Sequence, residues 1–131
     1  MIHGVGADIV RVARLAADLE RYGERFARRI LGPREFEEFR TAARPAHFLA
    51  KRFAAKEAAA KALGTGFRNG LTLVQITVDH DVLGRPILKY SGHAAELCRR
   101  LGISHSHLSL ADEEDYAIAY VTLESATGSE A

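Results

Sequence analysis

The chain has one cysteine, Cys98, among 131 residues, so no disulfide can form within it. That fits a reducing compartment, and a cytoplasmic protein is expected. Tryptophan is absent and proline occurs three times. There is no net electrostatic bias either: 18 basic residues stand against 17 acidic ones, a formal charge of +1. No bulk pull toward nucleic acid or membrane is expected, and any charge effect must come from local clustering. No apolar run approaches the roughly 20 residues a membrane helix needs. The opening segment, MIHGVGADIV, has no basic stretch followed by an apolar one, so it does not read as a signal peptide. Secreted, membrane-spanning, zinc–cysteine and disulfide-scaffold classes fall away on these absences. What remains is an ordinary globular domain, 47% hydrophobic and 27% charged. It is long enough to bury roughly two-thirds of the surface its unfolded chain exposes.

Residues 1–10 are apolar and punctuated by Gly4 and Gly6; they read as a strand that delivers Asp8 to its end or edge. From Val12 the period changes. Val12, Leu15, Leu19, Tyr22, Phe26 and Ile30 recur at steps of three and four, the pattern of an amphipathic helix. Gly23 is placed to divide it. Leu31-Gly32-Pro33 is a turn, and Pro33 suits the first position of a short helix over 34–40. Residues 46–63 form the strongest helix, rich in Ala, Leu, Lys and Glu, and Gly64 and Gly66 stop it. Its alanines, spread over several faces, predict close packing against a sheet. Residues 72–78 alternate as a half-buried strand, with 87–90 as its partner across a turn at 81–86. A helix over 93–101 carries Cys98 on its apolar face, as inert core. Two more strands, 107–111 and 116–123, flank the acidic turn Asp112-Glu113-Glu114-Asp115. The expected fold is α+β: an antiparallel sheet packed on one long helix, with shorter helices beside it. A single domain spans 1–124, and 125–131 are expected to be a disordered tail.

The long helix holds Glu57 and Lys61 one turn apart on one face. Spacing alone gives a surface ion pair; context adds more. Lys51, Arg52 and Lys56 share the helix, which stops at the glycine-rich run from Gly64 to Gly70. Glycines let a backbone approach a ligand, and nearby lysines suit phosphate. The run is not a Walker motif, since no Gly-Lys-Ser/Thr opens a following helix. Asp8 reads either as a turn or cap residue or as a metal ligand. Magnesium commonly takes only one or two protein carboxylates, so Asp8 and Glu57 would suffice, but spacing does not bring them together. His105 and His107 alternate onto one strand face; zinc would need a third ligand, and none lies nearby in sequence. No Ser-His-Asp order or nucleophile elbow is present. Residues 11–29 hold six arginines against three acids, Asp18, Glu20 and Glu24. Arg11, Arg14, Arg21, Arg25 and Arg28 recur at helical steps beside the apolar stripe. They read as a solvated face or as a ridge for an acidic partner.

Three blocks carry a family resemblance. They are Gly4 to Val10 at the start, Phe48 to Gly66 with its Lys-Glu-Ala…Lys-Ala…Gly-Thr-Gly core, and His107 to Asp112 with Tyr116-Ala117. The turn Leu83-Gly84-Arg85-Pro86 also fits. With them the chain resembles the holo-[acyl-carrier-protein] synthase family, the small bacterial 4′-phosphopantetheinyl transferases, over about residues 2–124. Ala7 stands where that family often has Thr. The resemblance implies transfer of 4′-phosphopantetheine from coenzyme A to a serine of apo acyl carrier protein, releasing adenosine 3′,5′-bisphosphate, as a step in fatty acid biosynthesis. It implies Asp8 and Glu57 as Mg²⁺ ligands and Lys61 beside the diphosphate, with Glu57 and Lys61 catalytic. It implies a coenzyme A site lined by Arg52, Lys61, Gly64, Thr65, Gly66, Gly84, Arg85, Pro86 and His107. A homotrimer with sites between subunits is implied as well. The serine proton goes either to Glu57 through a water or to an acidic residue of the carrier; the residues do not decide. Arg11, Arg14, Arg21, Arg25 and Arg28 would meet the acidic carrier.

Two other readings compete. One is a non-catalytic coenzyme A or nucleotide-binding module, against which Asp8, Glu57 and Lys61 argue. The other is an RNA-binding sheet. That needs exposed aromatic stacking positions, and the strands offer only Tyr90, Tyr116 and Tyr120.

Overall fold

The computed structural model describes residues 1–126. Strand β1 (Ile2–Arg11) leads directly into helix α1 (Val12–Tyr22). Gly23, at φ 66° and ψ −149°, breaks the helical path and α2 (Glu24–Ile30) starts on a new axis. Helix α3 (Pro33–Arg40) opens with Pro33 in its first turn, and the Glu35 side chain accepts the Gly32 N–H at 2.9 Å. Helix α4 (Pro45–Leu63) runs 19 residues and ends at Gly64, whose φ of 90° is the left-handed cap that a side chain disfavours. Then come β2 (Ile76–His80), β3 (Pro86–Tyr90), α5 (Gly92–Leu101), β4 (Ile103–Asp112) and β5 (Tyr116–Ser125).

Strands β1, β5 and β4 form one antiparallel sheet in that order. Its inner face lies on α4. Along β5 the inward positions Ala117, Ala119, Val121 and Leu123 are fully buried, alternating with outward ones. Along β1 the same period turns Gly4, Gly6, Asp8 and Val10 to the helix. A Cβ on Gly6 would collide with the Ala58 carbonyl, and one on Gly4 with that of Ala62. The two glycines and the buried alanines of α4 thus permit an unusually close strand–helix approach, which brings β1 side chains within reach of α4 side chains. Leu15 of α1 and Phe36 of α3 are buried in the same core, together with Leu49 of α4 itself. The α+β expectation, with an antiparallel sheet on one long helix, holds.

Two details differ from it. Strands β2 and β3 pair only with each other, as a separate two-stranded sheet. The segment expected as a strand over 72–78 begins with a 3₁₀ turn, Leu73–Gln75, and strand pairing starts at Ile76. Hydrogen bonds outside any ladder account for this. Lys56 Nζ donates to the Leu73 carbonyl at 3.1 Å. The Gln75 side chain donates to the Gly70 carbonyl at 3.2 Å and accepts the Ala94 N–H at 3.1 Å. Val74, expected beside Ile76 and Val78, is exposed. At the C-terminal end, the Ser125 N–H donates to the Met1 carbonyl and the Ala126 N–H to that of Gly102. Those two residues of the expected tail are therefore tied down; 127–131 lie outside the described residues.

Candidate active site

Asp8 comes from β1 and Lys61 from the last turn of α4. Lys61 Nζ donates to Asp8 Oδ1 at 3.0 Å and to the Ala7 carbonyl at 2.9 Å. Glu57 sits one turn earlier on α4, half-buried. Burial pushes its carboxyl above the ordinary 4.5, and the Asp8 charge pushes it further. The positive charges of Lys61 and Arg14 act against that rise. Two carboxylates and an ammonium from distant parts of the sequence thus share one site. A hollow of about 220 Å³ opens over it, lined by Ala7, Asp8, Ile9, Lys61 and Ile118.

The other cations of α4 go elsewhere. Lys51 pairs with Asp112 at 3.8 Å. Arg52, expected at the ligand site, is turned inward: its guanidinium donates to Glu35 at 3.4 Å and Glu38 at 3.2 Å and lies over the Phe48 ring. Lys56 is completely buried. Its Nζ donates to the Ile30 carbonyl at 2.6 Å and to Glu35 Oε1 at 2.7 Å, besides Leu73. Burial lowers its pKa and the Glu35 charge resists. Glu35 went unnoticed in the sequence. The only local signal is its place three residues after Gly32, a capping position.

The loop after α4 spends its backbone on the helix end. The N–H groups of Gly64, Thr65 and Gly66 all point to the Ala60 carbonyl, at 3.1, 3.4 and 3.3 Å. Gly84, Arg85 and Pro86 lie at the β2–β3 turn, where Asp81 Oδ1 accepts the N–H groups of Leu83 and Arg85 at 2.9 Å each. The N–H of Arg85 is the chief reason the Asp81 carboxyl is held below its ordinary value. His107 lies on the outer sheet face, 2.9 Å from Glu124 Oε2. Gly64 adjoins the cluster, its N–H also reaching the Lys61 carbonyl at 3.0 Å. Among the described residues, no hydrogen bond or ion pair ties Gly84, Arg85, Pro86 or His107 to Asp8 or Lys61. No three His, Cys, Asp or Glu residues gather as a metal cluster there either, so His105 and His107 gain no third partner.

Arg11 closes β1, and Arg14, Arg21, Arg25 and Arg28 lie along α1 and α2; all five are exposed. Several lie over aromatic rings: Arg14 over Phe53 at 5.4 Å and Arg28 over Phe36 at 3.9 Å. A groove of about 350 Å³ is lined by Asp18, Tyr22, Arg25, Phe26 and Arg29. It continues into a second hollow of about 220 Å³ floored by Ile30, Phe53 and Leu73.

The sequence profile of the 4′-phosphopantetheinyl transferase superfamily matches residues 4–121, nearly the whole chain. The chain belongs to the holo-[acyl-carrier-protein] synthase family of that superfamily. The synthase of Nitrosococcus oceani is 60% identical over 123 residues, covering 94% of this chain and 80% of that protein. The crystal structure of the Neisseria meningitidis synthase superposes with a TM-score of 0.90 at 45% identity, covering 95% of this chain and 99% of that one. The Bacillus anthracis synthase, solved in complex with CoA (3′,5′-ADP), gives 0.79 at 35% identity, covering 96% and 99%.

Proposed function

We propose that Asp8, Glu57 and Lys61 carry the family's reaction in this chain, the transfer of 4′-phosphopantetheine from coenzyme A to a serine of apo acyl carrier protein. The observation that supports this is their convergence from β1 and α4. The serine oxygen bonds to the β-phosphorus of coenzyme A, the diphosphate P–O bond breaks, and adenosine 3′,5′-bisphosphate leaves with the growing negative charge. Lys61, already held beside Asp8, offers its ammonium to that charge. Asp8 and Glu57 fit magnesium: oxygen donors only, two carboxylates, and a Glu57 whose negative charge its surroundings disfavour. When bound there, the ion would neutralise diphosphate charge.

Coenzyme A is assigned to the surfaces at Gly64–Gly66, Gly84–Pro86 and His107. Gly64–Gly66 lie within one chain just past Lys61, but no hydrogen bond joins Gly84–Pro86 or His107 to Asp8, and a homotrimer with sites between subunits would bring them together. The outer sheet face favours such an assembly: Val5, Ile9, Ile118 and Tyr120 are exposed at 53%, 61%, 45% and 47%, and Ile9 and Ile118 line the hollow beside Asp8. Acyl carrier protein, acidic along the helix after its serine, is assigned to the arginine ridge and the groove beside it. No helix among the described residues is long and apolar enough to cross a membrane, and we assign the protein to the cytoplasm. The test is to mix the protein with apo carrier, coenzyme A and magnesium and weigh the carrier by mass spectrometry. A gain of one phosphopantetheine, abolished by EDTA, is expected; no gain overturns the assignment.

A further inference from the structure

Lys56 follows the active-site helix's own logic only in sequence: it precedes Glu57, yet its ammonium reaches α2 and α3. Its Nζ donates to the carbonyls of Ile30 and Leu73 and to Glu35. Glu35 in turn accepts the N–H groups of Gly32 and Val78, each at 2.9 Å, and Arg52. One buried ion pair therefore fastens the end of α2, the start of α3, the 3₁₀ turn and β2 to a single turn of α4. Ile30 and Leu73, whose carbonyls Lys56 holds, also line the hollow beside Arg14 and Phe53. Arg25 and Arg28 ride on α2, the helix whose last carbonyl it grips.

We infer that Lys56 and Glu35 are positioning residues for the carrier protein: their buried pair sets the shape of the docking groove and the placement of α2 relative to Glu57. This rests on the ridge and groove being the carrier's docking surface. A pair that served stability alone would not discriminate between the two substrates. A pair that shapes the groove acts on the carrier, because none of its hydrogen bonds reaches the loops assigned to coenzyme A.

Steady-state kinetics on the full chain distinguish these. The double variant Lys56→Met/Glu35→Gln removes both charges together, so neither is left buried alone. It is expected to raise the KM for apo carrier at least tenfold while kcat and the KM for coenzyme A stay within twofold. Glu35→Asp keeps the charge and retracts the carboxylate by one methylene. It provides a milder perturbation should the double variant not fold, with an expected threefold rise in carrier KM alone. Folded variants with an unchanged carrier KM, or with both KM values raised equally, overturn the inference. Arg14→Glu is run alongside. If it raises carrier KM while the pair variants do not, only this inference fails. If it has no effect either, the docking assignment itself falls.

Discussion

Two clusters of carboxylate and cation lie against the same helix, and they differ in every respect that burial controls. Asp8 and Lys61 line an open hollow, with Glu57 half-buried one turn along α4 and the Lys61 side chain 52% exposed. Glu35, Lys56 and Arg52 sit inside, with Lys56 at 0% and Glu35 at 2%. The inner cluster is saturated: every Lys56 bond has a protein acceptor, and both Glu35 oxygens have two donors. The outer one is under-neutralised. Two carboxylates there share one paired lysine, and Glu57 is pushed toward its neutral form by burial and the Asp8 charge, even with the Lys61 and Arg14 charges opposing. A saturated cluster has no capacity left for a ligand and serves to fix geometry. An under-neutralised one is stabilised by a cation from outside. Type of residue does not separate the two; the count of unmet charges does.

The sharpest way to break this comparison is to remove one outer carboxylate. Glu57→Ala should cost several kcal/mol of transition-state stabilisation, at least roughly a hundredfold in transfer rate, while circular dichroism and urea unfolding stay near wild type. The inner cluster should respond the other way round. Lys56→Met leaves the buried Glu35 with only the longer Arg52 contact, at 3.4 Å, against its charge and should lose about 3 kcal/mol of stability in urea unfolding, most of it regained in Lys56→Met/Glu35→Gln. A smaller effect is expected on the ridge. Arg14→Glu or Arg21→Glu should raise the carrier KM several-fold and leave that for coenzyme A unchanged, and added salt should mimic the change in wild type. A carrier KM within about twofold, under roughly 0.4 kcal/mol, would remove the ridge from docking.

The smallest effect concerns pH. In metal-free protein the Glu57 carboxyl titrates above the ordinary 4.5, so between that value and its raised one the folded chain holds a proton that the unfolded chain has released. Stability from this group is present below that value and is lost as pH rises through the raised one. Glu57→Gln removes the loss. Its melting temperature should exceed that of wild type in EDTA at neutral pH and converge with it in acid; parallel profiles would contradict the assignment.

The sequence shows α4 plainly, because alanine content and a terminal glycine are local signals. It shows Asp8 on a strand and pairs Glu57 with Lys61 by helical spacing. Their meeting with Asp8 depends on Gly4 and Gly6 admitting the helix, which only the packed fold reveals; before that, the case for a metal pair came from family resemblance. The fates of Lys56 and Arg52 were not legible. Four cations on one helix look alike in sequence, and what sorts them is Glu35, 21 residues from Lys56. The 3₁₀ turn was hidden for the same reason, since an alternating pattern does not record a lysine taking the Leu73 carbonyl from outside the sheet.

The account stands most directly on Asp8. Apo acyl carrier protein, coenzyme A and saturating magnesium are incubated with wild-type protein and with Asp8→Ala, and the carrier is weighed over time. The wild type should convert the carrier to its phosphopantetheinylated mass while Asp8→Ala, folded as judged by its melting curve, leaves it as apo protein. Conversion by Asp8→Ala at the wild-type rate would show that the under-neutralised cluster is not where the reaction occurs.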